Sequence, residues 1–487
     1  AMSPRRTAPT VRRNVTTRQI SPYPRGMAAR GILGASAYLP HRRLDRSTIA
    51  AVAGTGGGKG TRTVAGYDED TTTMGVEAAR AALRGGSDLT PRALWFSTVA
   101  PAYADKTNAT TIHAALRLPA DVGAFDANGS VRSAMGALHA ALSGRGPQLV
   151  VSADLRSGLA GGPDESTFGD GAAALVVGDD DDGPLLAEAL GSGWVTEEFL
   201  DRWRTPGEGR SKVWEERFGE TRYVPLGQRA WDDALKAAGL VADQVDRVAI
   251  AGTHGRANAA LAKKLAVGDR LVPDLGGAIG NLGAAQPALL LTAALEAAAP
   301  NQVIALVVLA DGAHVQLFRT TAAIEAWEPA RPLAEQATSG APLDYGTYLR
   351  WRGLLPSEPP RRPEPARPSA TASARSADWK FGFVGSSAGD DPTIHLPPQP
   401  GEPVAVPMAD VAGTIVTFTV DRLAYSPSPP VVFAVVDFDG GGRLPVELTD
   451  VELAEVRIGA RVELTFRRLF TADGIHNYFW KARLRHG

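Results

Sequence analysis

From residue 31 onward, short apolar runs alternate with stretches whose apolar residues recur every third or fourth position, the pattern of strands and amphipathic helices stacked in layers. Residues 70–83 predict a helix: Asp70 and the threonines behind it suit an N-terminal cap, and Met74, Ala78 and Ala81 fall on one face. Residues 94–99 predict a buried strand, 131–142 an apolar helix and 149–151 a second central strand. The same order then returns. Residues 231–240 predict a helix, 248–250 a strand, 284–297 an apolar helix and 303–309 a strand, each about 150 residues after its counterpart, as in an internal duplication. Helices as rich in Ala and Leu as 131–142 and 284–297 are expected between layers, so the predicted plan is two similar halves whose sheets enclose central helices.

Residues 356–376 change to Pro, Ser, Ala and Arg, with Pro359, Pro360, Arg361, Arg362 and Pro363 in succession, and read as a stiff, solvated linker. Beyond it, strands at 411–420 and 431–438, a hairpin turn at 439–442 and strands at 461–466 and 478–484 predict a small all-β unit. An OB-type barrel fits that spacing, with a plain sandwich as the alternative.

Composition narrows the function. The 487 residues are 44% hydrophobic and 21% charged, a globular balance with room for about three folding units. Lys+Arg 51 against Asp+Glu 53 gives a formal charge of −2, so nothing global recruits nucleic acid or an anionic membrane. No apolar run approaches the roughly 18 residues of a membrane span, and the N-terminal residues lack the apolar core of a secretion signal, so a cytoplasmic protein is expected. Residues 1–26 carry Arg5, Arg6, Arg12, Arg13, Arg18 and Arg25 and no acid, and are expected to be a disordered basic leader. The cysteine count of 0 removes disulfides, cysteine-ligated zinc and cysteine nucleophiles together.

Several motifs carry a resemblance. Gly66-Tyr67-Asp68-Glu69-Asp70-Thr71, Tyr103-Ala104-Asp105-Lys106-Thr107 and Phe199-Leu200-Asp201-Arg202-Trp203-Arg204 resemble the archaeal type of 3-hydroxy-3-methylglutaryl-CoA synthase, a thiolase-superfamily group related to β-ketoacyl synthase III. Gly169-Asp170-Gly171-Ala172-Ala173, Arg217-Phe218 and Gly280-Asn281 extend the resemblance in consistent order over residues 31–319. Ala412-Gly413-Thr414-Ile415-Val416 and Ile458-Gly459-Ala460-Arg461-Val462 resemble the OB-fold half of zinc-ribbon/OB proteins that accompany thiolase-like enzymes.

The resemblance implies an α/β, duplicated five-layered thiolase fold, followed by a small all-β OB-fold domain. After the leader, the implied divisions are a first half at 27–190, a second half at 191–350, a linker at 351–378, a degenerate zinc-ribbon segment at 379–402 and the OB domain at 403–487. Relatives place four zinc-binding cysteines before the barrel. This segment has none, and His395 alone cannot hold zinc, so no metal is expected.

The same resemblance locates a reaction centre with parts missing. The family's nucleophilic cysteine, at the start of the first central helix, falls on Val131, and its acid/base glutamate falls on Val99. Ser130 and Ser133 flank the first position, but a one-residue shift on a helix turns a side chain by about 100°, and capping or packing is their alternative role. His254 matches the family histidine that binds the thioester carbonyl or moves a proton, and Asn281 matches the asparagine of the thioester site. Both types can stabilise an enolate or oxyanion without a covalent intermediate. Gly312 and Ala313 align with a turn whose backbone faces the thioester oxygen, and His314 adds an imidazole there or faces the surface. Arg132 and Arg256 could meet the phosphates or pantetheine of the thioester, or simply be solvated.

The expected function is therefore a thiolase-fold enzyme that makes or breaks a carbon–carbon bond, or transfers an acyl group, on an acyl thioester without a cysteine. The alternatives are an inactive scaffold or carrier-docking subunit of a thiolase-type complex, and a serine acyl-enzyme acyltransferase built on Ser130. Coenzyme A or phosphopantetheine would enter as part of the substrate, with no tightly bound cofactor. A homodimer is expected, with a thiolase or an acyl carrier protein as a further partner and neither nucleic acid nor membrane.

Overall fold

The computed structural model describes residues 29–84, 89–389 and 393–485. The basic leader read at 1–26 lies outside the described residues. The first half supplies β1 (Arg30–Tyr38), α1 (Thr71–Arg84), β2 (Ala93–Ser97), α2 (Ala109–Ala115), β3 (Gly123–Asp126), α3 (Arg132–Ser143), β4 (Gln148–Asp154) and β5 (Gly171–Asp179). The second supplies β6 (Ala187–Thr196), α4 (Glu216–Ala238), β7 (Arg247–Gly252), α5 (Gly255–Lys264), α6 (Gln286–Glu296), β8 (Val303–Leu309) and β9 (Gly312–Thr320).

The duplication is visible in strand direction. β2 runs parallel to β4, and the β4–β5 and β5–β1 pairs are antiparallel; β7 runs parallel to β8, and β8–β9 and β9–β6 are antiparallel. In place of a partner like β3, the second half has an isolated parallel bridge between Val248 and Leu271. The sheets meet edge to edge through Gly31–Glu188 and Ile32–Ala187.

Alternation along the strands sorts side chains into layers. On β4, Leu149 and Val151 pack with Met74, Val76 and Ile112 of α1 and α2, whereas Val150 turns the other way toward Leu138 of α3 and Leu290 of α6. On the second sheet, Leu306 and Val308 face that same central helix layer, while Val307 and Val315 meet Leu226 and Trp231 of α4 and Leu261 of α5. The result is helix, sheet, helix, sheet, helix: the five layers predicted.

The structure revises three sequence boundaries. The helix read at 231–240 begins at Glu216 and runs through Gly219, Pro225 and Gly227, because Tyr223, Leu226 and Ala230 bury one face against the second sheet and outweigh the helix breakers. β6 starts at Ala187 and pairs with β9 along its length, so the second half begins before residue 191. The linker contains a short helix, Ala370–Arg375, capped by Ser369, and the ribbon segment folds as a helix, Ala377–Gly382, and a hairpin of Val384–Ser387 with Val404–Pro407. Among the described residues, no helix is long and apolar enough to cross a membrane.

The C-terminal strands β10 (Gly413–Asp421), β11 (Val431–Phe438), β12 (Arg443–Leu448), β13 (Arg461–Ala472) and β14 (Ile475–Leu484) close into a barrel in the order β10-β11-β12-β14-β13. Closure, through Gly413–Val462 and Thr414–Arg461, excludes the sandwich. The barrel core of Phe466, Tyr478 and Trp480 is continuous with the apolar face of α1. Around that contact, Lys481 lies 2.9 Å from Asp68, Tyr478 Oη donates to Asp70 at 2.8 Å, and Arg483 lies 3.2 Å from Glu77. Arg80 reaches Asp410 at 2.9 Å with its guanidinium 4.7 Å from the Trp480 ring.

Candidate active site

The strand ends of both halves converge, tied by one buried carboxylate. Asp154, the last residue of β4, accepts through Oδ1 from Thr98 Oγ1 at 3.0 Å and Val99 N–H at 2.8 Å, and through Oδ2 from Ala284 N–H at 2.8 Å just before α6. Burial raises its pKa above the usual carboxylate range, although Arg156 and these donors oppose the shift. Val99 is thus held at its backbone on both sides, since its carbonyl accepts from Arg204 Nη2 at 2.8 Å.

Val131 sits at the N-cap of α3 and is 7% exposed, packed in the central layer. Its side chain offers neither a nucleophile nor a proton. Ser130 Oγ accepts from Arg132 N–H at 3.2 Å and Ser133 Oγ donates to the Asn128 carbonyl at 3.2 Å, local bonds that hold the turn entering α3, whose N-cap is Val131. Among the described residues, no histidine or carboxylate hydrogen-bonds Ser130 to activate it.

His254 caps α5, its Nδ1 accepting from Ala257 N–H at 3.1 Å. That bond places the ring proton on Nε2, which donates to the Glu216 carbonyl at 2.8 Å. The first turns of α4 close over the ring. A Cβ on Gly219 would lie 2.8 Å from His254 Nε2 and 2.5 Å from Asp201 Oδ1, so only glycine permits this approach. Asp201 is 6% exposed, and among the described residues its Oδ1 has no hydrogen-bond partner. Burial pushes its carboxyl above the usual range, outweighing His254 and Arg202.

Asn281 joins His254 through the end of β7. Its Nδ2 donates to the Gly252 carbonyl at 3.0 Å and its Oδ1 accepts from Gly283 N–H at 2.9 Å. Arg132 bridges the halves: it donates to the Asp311 carbonyl, to the Val195 carbonyl at 3.3 Å and to Thr196 Oγ1 at 2.8 Å, lying across the Gly312 turn, whose φ is 120°. Ala313 is buried against the outer helices. His314 turns the other way, its ring 5.5 Å from Trp194, which in turn lies 4.9 Å from His139 of α3. Burial, reinforced by His139 and Arg132, lowers His314 to about 3, so the imidazole is neutral; among the described residues its Nε2 has no hydrogen-bond partner.

The structure therefore brings together Val99, Asp154, Asn281 and His254 on one side and Val131, Arg132 and Gly312 on the other. Arg256 stands apart, exposed and 3.4 Å from both Glu216 and Glu220 of α4. Asp154 and Asp201 were not singled out in the sequence: Asp154 ends a strand read as purely apolar, and Asp201 lies inside a motif read only for resemblance. In the ribbon segment His395 Nδ1 pairs with Glu402 at 2.6 Å, and among the described residues no group of three or more His, Asp or Glu is gathered as metal ligands.

Comparison with known proteins places this geometry. Residues 393–467 match the C-terminal OB-fold domain of ChsH2. A hydroxymethylglutaryl-CoA synthase of Aeropyrum pernix is 31% identical over 343 residues, covering 67% of this chain and 94% of that protein. The corresponding synthase of Pyrococcus furiosus is 29% identical over 336 residues, covering 66% and 95%. In structure, the HMG synthase of the curacin biosynthetic pathway, solved in complex with holo donor-ACP, superposes with a TM-score of 0.58 at 17% identity over 66% of this chain and 88% of that one. With the Aeropyrum pernix synthase covered almost end to end, the chain belongs to the hydroxymethylglutaryl-CoA synthase family of the thiolase superfamily, with an OB-fold domain fused to it.

Proposed function

We propose that the protein acts on acyl thioesters, carried by coenzyme A or by the phosphopantetheine of a carrier protein, without forming an acyl-enzyme. The single observation behind this reading is the His254 ring, whose tautomer is set by Ala257 and whose Nε2–H already meets a carbonyl oxygen, that of Glu216, at 2.8 Å. A thioester carbonyl taking the place of Glu216 would find a preorganised donor for the charge that builds on its oxygen. Asp201, whose Oδ1 has no hydrogen-bond partner among the described residues and whose pKa is raised beside the same Gly219 contact, is the group placed to hold or accept a proton. Carbon–carbon bond formation or cleavage and direct acyl transfer both need only these roles. Family membership and the carrier complex of the curacin synthase support thioester handling and carrier delivery. The test is turnover of acyl-CoA by the full chain with candidate acceptors, followed as a change in the mass of the thioester for carbon–carbon chemistry or as free coenzyme A for acyl transfer, and its loss on His254→Ala.

A second reading has its own observation. The donor of His254 and both ends of the Asn281 amide are spent on backbone partners, so catalysis requires the first turn of α4 to withdraw. If that turn stays in place, the chain is a non-catalytic subunit that docks a carrier or an active thiolase. An assay in which a partner thiolase depends on this chain while His254→Ala has no effect would select that reading.

A further inference from the structure

The β13–β14 hairpin of the barrel reaches the loop that leaves β2. The backbone N–H of His476 donates to Tyr103 Oη at 2.8 Å, and the two rings lie 4.8 Å apart. Thr471 Oγ1 lies 2.8 Å from His476 Nδ1; with that hydroxyl donating, the ring proton is on Nε2, which meets the Ala102 carbonyl at 3.4 Å. The remaining anchors of the loop come from the layered fold itself: Asp154 and Arg204 at Val99, Thr71 Oγ1 at the Ala100 carbonyl (2.9 Å), and Asn108 Oδ1 at Tyr103 N–H (2.9 Å). Farther along β14, Tyr478 donates to Asp70 Oδ2, while Oδ1 of that carboxylate accepts from Thr72 N–H at 3.0 Å and Thr73 N–H at 2.9 Å to cap α1. One barrel edge therefore registers both the helix start and the strand-end loop.

We infer that His476 is a positioning residue for the thioester site, acting through Ala102 and Tyr103 on the loop that begins at Val99, so that the fused barrel completes the site in cis. The inference rests on the reading of the strand ends as a thioester site, and its test separates the two. Hydrogen exchange of the full chain is followed in residues 99–108, with and without acetyl-CoA. Tyr103→Phe removes the acceptor for His476 N–H and His476→Ala removes the ring; each should speed exchange in this segment about fivefold, the factor set by one net hydrogen bond. His476→Gln, which keeps a side-chain donor for Ala102, should restore most of the protection. Tyr67→Phe loosens the same interface away from the hairpin tip, at Glu447 and Lys481, and should leave the segment unchanged. In the second arm, acetyl-CoA should protect 99–108 in the wild type and do so less tightly in His476→Ala. Unchanged exchange in both Tyr103→Phe and His476→Ala, or an equal rise in Tyr67→Phe, would overturn the inference. Faster exchange in the two variants without acetyl-CoA protection in any protein would keep the loop contact, remove its role in a thioester site and count against the thioester reading.

Discussion

Arg467 of the barrel and Glu69 of the first half form an ion pair at 3.1 Å in which both side chains are sealed from water, at 0% and 1% exposure. Asp450 meets the same guanidinium at 2.7 Å and Tyr38 Oη accepts from it at 3.0 Å. A cation stripped of water is stable there only because these acceptors surround it.

Removing that cation should be costly. Arg467→Ala leaves the buried Glu69 and Asp450 without the guanidinium that both meet, an arrangement worth about 3–5 kcal/mol of lost stability. Denaturant unfolding of the full chain measures it, with Arg443→Ala, which breaks an exposed pair with Asp437, as the control expected to change little. Equal effects of the two substitutions would contradict the interface described.

His314 predicts a pH dependence. Burial holds its pKa down to about 3 in the folded protein, against an ordinary value of 6.5. The unfolded chain takes up the proton first as pH falls, so this contribution is complete above pH 6.5 and is lost as pH falls toward 3. Between neutral pH and a pH one and a half units below the unfolded pKa, the loss is roughly 2 kcal/mol. His314→Gln should reduce the fall in unfolding free energy over that interval by this amount, and an unchanged fall would show that His314 is not buried neutral.

Much of the fold is legible from residues alone, and the exceptions have physical causes. Val303–Leu309 is an unbroken apolar run and Val431–Phe438 one interrupted only by Asp437, both ended by turn residues, and the structure has strands at those positions. The start of α4 is hidden by Gly219, Pro225 and Gly227, which local propensity reads as breaks and which packing overrides. Asp68, Glu69 and Asp70 read as a family motif; their ties to Lys481, Arg467 and Tyr478 join distant parts of the chain, where periodicity carries no information. The position of His254 is legible by resemblance, but its tautomer depends on Ala257 and its donor on Glu216, which only the folded chain brings together.

We expect a homodimer built on the edge of the first sheet. β3 leaves one side unpaired, and Phe125 on it is 47% exposed with its ring 4.9 Å from Trp95, an apolar edge that a second copy would cover. Sedimentation equilibrium at micromolar concentration should give twice the chain mass, falling toward one on Phe125→Glu. A wild-type monomer would contradict this.

Turnover should follow His254 rather than the serine beside the vacant nucleophile position. Loss of one preorganised oxyanion donor costs on the order of a hundredfold in rate, so His254→Ala should lower turnover of acyl-CoA by about that factor while Ser130→Ala leaves it nearly intact. The reverse order would restore the serine acyl-enzyme.

The most direct measurement is the intact mass of the full chain during turnover of acyl-CoA. Val131 offers no atom that can be acylated, and Ser130 Oγ accepts from Arg132 N–H without an activating base among the described residues, so the account predicts that acyl-CoA is consumed while the protein mass stays unchanged at every time point. A transient gain of one acyl group on the chain, removed again as product forms, would contradict it.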